Sequence, residues 1–288
     1  MVRGRRIGHV DLTLAFSREN GTPAPELHER TADVIERSLA FFEEIFGAYP
    51  LDELTVVVLP RAYSQSFLGF ITLTQSVANA GDLETHDSGR WTREVTISHE
   101  IAHQWWGNEI GWWSYRDQWL SEAMANYAGV LFYLHSNNEH RTSVAELSVG
   151  WRATLEQTVA SGRTVESLGP IVLGHRLNSS EASNGYRAIV YRKGAVVLAM
   201  LARAVGEDNF LEMLHALVEA ARGKVVTTES FIEAVERMSG LDLEGFAQQY
   251  VYGTGVPLVY YDYRFEPDEA GDGWRVIGEA HRFLEARY

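Results

Sequence analysis

His99-Glu100-Ile101-Ala102-His103 sets two imidazoles four residues apart, with a carboxylate beside the first. On a helix, residues four apart share one face a turn from each other. Both rings can then converge on one ion, at Zn–N distances of about 2.0–2.1 Å. Glu100 would reach a zinc-bound water without binding the metal itself. Zinc lowers the pKa of such a water, and the carboxylate takes the proton as the oxygen attacks a carbonyl. Three fixed positions match by chance in on the order of 1% of chains this long, mostly as solvated helix faces. The surroundings decide. Trp119-Leu120-Ser121-Glu122 opens the next expected helix, and Glu122 lies 19 positions beyond His103. A catalytic zinc site needs three protein ligands and one open position. His99, His103 and Glu122 supply them, which implies one Zn2+ per chain. Taken alone, Glu122 is equally a helix-start acid favoured by the macrodipole. Asp117 is either a plain loop acid or the acceptor for the free N–H of a ligand imidazole.

Two helices, expected near 91–106 and 119–136, must hold these groups. Before them, residues 7–16 (IGHVDLTLAF) read as a strand. Pro25 opens a helix over roughly 25–46, with Leu27, Val34, Ile35, Leu39 and Phe42 at helical spacing, and Gly47 stops it. LTVVVLP (54–60) reads as a strand buried on both faces, and GFITLTQS (69–76) as another. Further helices are expected near 139–160, 186–205, 207–222, 228–239 and 242–252. Residues 161–185, rich in Gly and Ser, read as a long surface loop. VPLVYYDYRFEP and WRVIGEA, parted by DEAGDG, read as a C-terminal β-hairpin. Strands first and helices later predict an α+β fold. One catalytic domain would span 1–288: a strand-rich lobe (1–90), a helical lobe with the zinc site (91–256) and the hairpin (257–288).

Composition narrows the partners. A chain of 288 residues that is 45% hydrophobic is globular and long enough for a sizeable core. It has no cysteine, so any metal site must use His and carboxylates. A net charge of -14 repels nucleic acid and anionic membranes. No stretch approaches the roughly 20 apolar residues of a membrane helix. The chain reads as soluble, either cytoplasmic or the soluble part of a longer membrane or secreted protein. Trp105, Trp106, Trp112, Trp113 and Trp119 read as core packing around the zinc helix rather than a stacking platform. The other histidines form no second ligand spacing.

HEIAHQWWGNEIGWWSYRDQWLSEAMANYAG resembles the signature of the aminopeptidase-N-like gluzincin zinc peptidases, HExxH-x18-E. Such proteins typically read HELAHQWFGN and then WLNEGFASY. IVYRKGAVVLAML resembles their YEKGA segment, and residues 231–263 their stretch ending in a Gly-x-Pro turn. The resemblance covers roughly 30–265. It implies a thermolysin-like zinc peptidase domain with a small N-terminal β/α lobe and a larger, mainly helical one, acting on peptides. It further implies that His99, His103 and Glu122 are ligands and Glu100 the general base. Tyr191 would donate to the tetrahedral oxyanion, as suits a neutral phenol aimed at developing charge; without the resemblance it reads as a packed core tyrosine. Tyr186 matches a second active-site tyrosine. The usual Glu after Tyr191 is Arg192 here.

Aligning GFIT with the family's GLIT, through Gly69, sets Tyr63 to Phe67 on the family's Gly-Ala-Met-Glu-Asn strand. Ser66 then replaces the Glu that pairs with a substrate's α-amino group. Ser66 and Gly69 are thus candidate substrate or supporting residues, and the expectation is a metallopeptidase with weakened or altered recognition of a free N-terminus. Asp82, Glu84 or Asp87 are substitute anchors in a true aminopeptidase. A non-catalytic scaffold is the reading from another class. The family's large N-terminal β-domain and C-terminal helical domain have no counterpart in this sequence. Residues 7–16 are expected as a remnant of the former, or the chain as an excised catalytic piece.

Overall fold

Alternation builds the first layer. In this computed structural model, which describes residues 2–19, 24–80, 87–138, 143–178, 182–255, 258–267 and 273–283, β2 (Val10–Phe16) buries Val10, Leu12, Leu14 and Phe16. The residues before it form a separate strand, β1 (Val2–Ile7), paired antiparallel to β2. The expected single strand 7–16 is therefore a hairpin. Arginines concealed the first strand: Arg3 and Arg5 pair with Glu29, Arg5 also with Glu36, and Arg6 with Asp11.

Helix α1 (Pro25–Phe46) runs from Pro25 to Gly47, as its pattern predicts, and joins parallel β2 and β3 (Glu53–Leu59). It buries Leu27, Val34, Ile35, Leu39, Phe42 and Phe46. β3 seals one face with Leu54, Val56 and Val58; Thr55, Val57 and Leu59 are only half-buried, so the expectation of two buried faces fails. β5 (Phe70–Thr74) lies parallel to β3, and the short β4 (Gln65–Phe67) antiparallel to β5. The order β1-β2-β3-β5-β4 leaves β4 at an edge. The expected strand 69–76 stops at Thr74, whose hydroxyl caps α2 (Gln75–Asn79) by accepting from Val77 N–H.

The rest of the larger unit is mainly helical: α3 (Asp87–Ala102), α4 (Trp119–Ser136), α5 (Ser143–Leu155), α6 (Gly194–Val205), α7 (Glu207–Ala221), α8 (Thr228–Ser239) and α9 (Glu244–Tyr250). Two-residue strands β6 (Gly111–Trp112) and β7 (Val225–Val226) pair in parallel beside it. α3 ends at Ala102 rather than 106, because the next amides, of Gln104 and Trp105, tighten to carbonyls three residues back. The expected surface loop 161–185 holds 3-10 turns at Glu166–Leu168 and Ile171–Leu177 and buries Val165, Ile171 and Leu177. A π-helical segment, Arg187–Lys193, leads into α6. No helix among the described residues is long and apolar enough to cross a membrane.

The chain divides into two compact units, Met1–Gly253 and Thr254–Tyr288. The second is an antiparallel hairpin of β8 (Leu258–Pro267) and β9 (Trp274–Phe283), in register from Leu258↔Phe283 to Pro267↔Trp274.

Candidate metal centre

Two helices lie close enough to share a site because glycine lets them. A Cβ on Gly129 of α4 would stand 2.8 Å from Val95 O of α3. Glu94 fixes the same pair from below. Its buried carboxylate accepts from Arg37 of α1 at 3.1 Å, Arg90 of α3 at 3.1 Å and Asn137, just past α4, at 2.9 Å. Burial works to raise this carboxyl, but the three donors outweigh it and hold it below the usual carboxylate range.

His99 and His103 then present their Nε2 atoms 3.1 Å apart. Glu122 Oε2 stands 3.2 Å from His103 Nε2 and 3.7 Å from His99 Nε2. Donors held about 2.0–2.1 Å from a tetrahedral zinc lie about 3.3 Å from one another. The three separations bracket that value, so this donor set fits a zinc ion. It is the one such cluster of His, Asp and Glu among the described residues. The unused ring nitrogen of His103 sets its orientation: Nδ1 faces Trp106 O at 2.9 Å and Ser121 Oγ at 3.2 Å. A proton on Nδ1 leaves Nε2 to a metal. Gly107 makes room for this contact. Its φ is +109°, and a Cβ there would lie 2.2 Å from Ser121 Oγ.

The electrostatics are those of the metal-free site. Burial would lower His103, but Glu122 outweighs it and the ring is raised to about 9. Burial, then the charge of His103, push His99 down to about 3, with Arg187 adding to the fall. Burial would raise Glu122; His103 above all holds it down, at about 2. Burial pushes Glu100 up to about 7. Burial, helped by the Glu122 charge, keeps the Tyr191 hydroxyl firmly protonated. The Tyr191 ring stacks on His99, with centroids 6.0 Å apart and planes at 14°. Tyr186 packs edge-on to Tyr191 at 5.5 Å.

His99, Glu100, His103, Glu122 and Tyr191 line a cleft of about 830 Å³, with Ser66 and Arg187 also at its wall; Tyr186 packs behind Tyr191 and does not line it. Several expected residues sit elsewhere. Asp117 meets neither imidazole. Its Oδ1 accepts from the N–H and hydroxyl of Thr228, and its Oδ2 from those of Ser114. It therefore ties the loop before α4 to the start of α8, as a loop acid, and the acceptor facing the free ring nitrogen of His103 is a backbone carbonyl, Trp106 O. Gly69 does not line the cleft. Its N–H donates to Gln104 Oε1 and its carbonyl accepts from Thr55 N–H, so neither is free for a substrate. Trp105, Trp106 and Trp119 are core, but Trp112 and Trp113 are exposed, contrary to expectation. Asp82 and Glu84 lie outside the described residues, as does the Asp87 side chain.

Gln104 went unread in the sequence although it follows His103 directly. Wholly buried, it accepts from Gly69 N–H and the Tyr49 hydroxyl, and donates to Ser66 Oγ at 2.7 Å and Phe67 O at 3.0 Å. It fastens the β4–β5 turn to the histidine helix. Asn108 adds a second donor to Ser66 Oγ at 3.2 Å.

The model of the peptidase family M1 domain matches residues 30–250. Aminopeptidase M1-B of Oryza sativa is 27% identical over 79% of the chain, and Aminopeptidase 2, mitochondrial, of Saccharomyces cerevisiae 28% identical over 93%. The chain spans 26% and 27% of their lengths. A mutant M1 zinc metallopeptidase from Deinococcus radiodurans, solved with a Tyr-Ser-Ala substrate, superposes with TM-score 0.62 at 23% identity, over 90% of this chain and 53% of that one. That likeness shows the fold, an α+β arrangement with a small β lobe and a larger helical lobe.

Proposed function

Because the chain belongs to peptidase family M1, we propose that it hydrolyses peptide bonds, with His99, His103 and Glu122 holding a zinc ion and Glu100 as general base. The observation that carries this reading is the convergence of two Nε2 atoms and one carboxylate oxygen at mutual distances of 3.1–3.7 Å. A zinc ion bound there would supply Lewis acidity, polarising a carbonyl and lowering the pKa of water to about 7. Glu100, beside the ligands and largely buried, accepts the proton of the attacking water at its carboxylate and returns it to the leaving amine. Tyr191 donates its hydroxyl to the oxygen on which negative charge develops. Edge strand β4 lines the cleft, so an extended peptide can add to it through main-chain hydrogen bonds.

Recognition of a free N-terminus is weakened on the same reading. Ser66 Oγ already accepts two N–H groups, from Gln104 and Asn108. Its remaining capacity is to donate, whereas a substrate ammonium needs an acceptor. N-acetylation of a good peptide substrate is expected to change kcat/KM by less than about tenfold. A loss of a hundredfold or more would favour the second reading, suggested by the names of the curated relatives: an aminopeptidase with another acidic anchor. Glu100→Gln should abolish nearly all turnover while zinc content stays at one per chain. Unchanged turnover would end the proposal; an unchanged biological effect without turnover would favour a scaffold.

A further inference from the structure

We propose that Arg187 receives a carboxylate of the substrate, so that the cleft selects peptides with an anionic group near the scissile bond. The inference rests on the peptidase reading above and names the chemistry its substrates share. Arg187 lines the same cleft as His99, Glu100, Glu122 and Tyr191. It opens the π-helical segment about one turn before Tyr191, whose ring stacks on His99. Its side chain is exposed and makes no ion pair or hydrogen bond with any described residue.

Charge around the cleft points the same way. The lining carboxylates among the described residues are Glu100 and Glu122, and the lining guanidiniums are Arg187 and Arg192. A divalent ion offsets both carboxylates and leaves the two guanidiniums. The described lining is then cationic within a chain of net charge -14, a setting that repels an ammonium and draws a carboxylate. Arg192 also donates to Thr154 Oγ1, so Arg187 is the freer of the two. Its planar fork suits bidentate binding of a carboxylate. Ser66 lies toward the other end of the ligand helix, since it bonds to Gln104 and Asn108, beyond His103. The anionic group would therefore sit on the His99 side. A C-terminal carboxylate and an acidic side chain both offer this chemistry.

Two peptide pairs separate the sources. One pair differs only in a C-terminal acid or amide. The other, amidated throughout, carries Glu or Gln next to the cleaved bond. Dissociation constants are measured with zinc-loaded Glu100→Gln protein, which binds without turnover, and kcat/KM with wild type. One pair should separate about tenfold in favour of the carboxylate in both measurements; which pair does so identifies the source. Arg187→Gln should reduce the ratio to within about twofold, and Arg187→Lys should restore part of it. Equal affinities within both pairs, or a preference that survives Arg187→Gln, would overturn the assignment. Failure of wild type to cleave any peptide would count against the peptidase reading alone, because the binding ratios still decide the role of Arg187.

Discussion

Metal binding at His103 is expected to be coupled to the release of a proton. In the metal-free site Glu122 outweighs the effect of burial and raises this ring to about 9, so at pH 7 it is an imidazolium, which cannot ligate. Zinc uptake at pH 7 should release about one proton per site. Titration calorimetry in buffers of different ionisation enthalpy measures this, and identical heats in all buffers would contradict it. At Tyr191 the structure sets a different test. Tyr191→Phe keeps the ring that stacks on His99 and removes the donor, so kcat should fall by about 10²–10³-fold with zinc content unchanged. An effect below tenfold would return Tyr191 to the status of a packed core residue. At this scale the sequence was most legible where spacing alone fixes geometry. An i,i+4 pair of histidines has few ways to avoid facing the same point. Asp117 stayed open between two readings because loop position says nothing about which of several nearby donors a carboxylate meets. Arg187 was invisible as a cleft residue because the turn carrying it is not an α-helical one.

Helices hold the site, and Glu94 holds the helices. One carboxylate gathers donors from α1, from α3 and from beyond the end of α4. Glu94→Ala should lower unfolding free energy by about 1.5–3 kcal/mol, the range for hydrogen bonds to a charged group; the exposure of Arg37 and Arg90 keeps it below the cost of breaking a fully buried pair. The sign with pH follows from the lowered carboxyl. The advantage of wild type over Glu94→Gln should be full above the unfolded-state pKa of about 4.5 and vanish as pH falls through the lower, folded value. Denaturant melts of the two proteins between pH 3 and 7 check this, and a pH-independent difference would refute it. Elements with long apolar periodicity were read almost to the residue, α1, α4 and α8 among them. Shorter ones were not. β4 has three residues, and β6 and β7 two each, too few for any pattern to emerge. The 3-10 turns in 161–185 were taken for surface because Gly and Ser dominate there, yet tertiary packing buries Ile171 and Leu177.

For the molecule as a whole, a zinc ion held as proposed would link metal and fold thermodynamically. A ligand that binds only the folded state at a hundred times its Kd adds about 2.7 kcal/mol. In a chain of this size about 2–4 °C of Tm accompany each kcal/mol. Removing zinc with a chelator should therefore lower Tm by on the order of 5–10 °C, and adding zinc back should restore it. A Tm indifferent to both would argue against a built metal site. The chain covers only about a quarter of the curated relatives it matches, yet the proposed ligand set, the proposed base and the edge strand all fall within Met1–Gly253. The wide turn at Arg187–Lys193 bears on how such a protein can change over generations. It holds one residue more per turn than an ordinary helix would. In-frame loss of a single codon there would regularise the winding and swing the Tyr191 phenol about 100° away from the ion. A descendant could thus fall silent while its HExxH segment remained intact, and the motif by itself would be a poor witness to turnover.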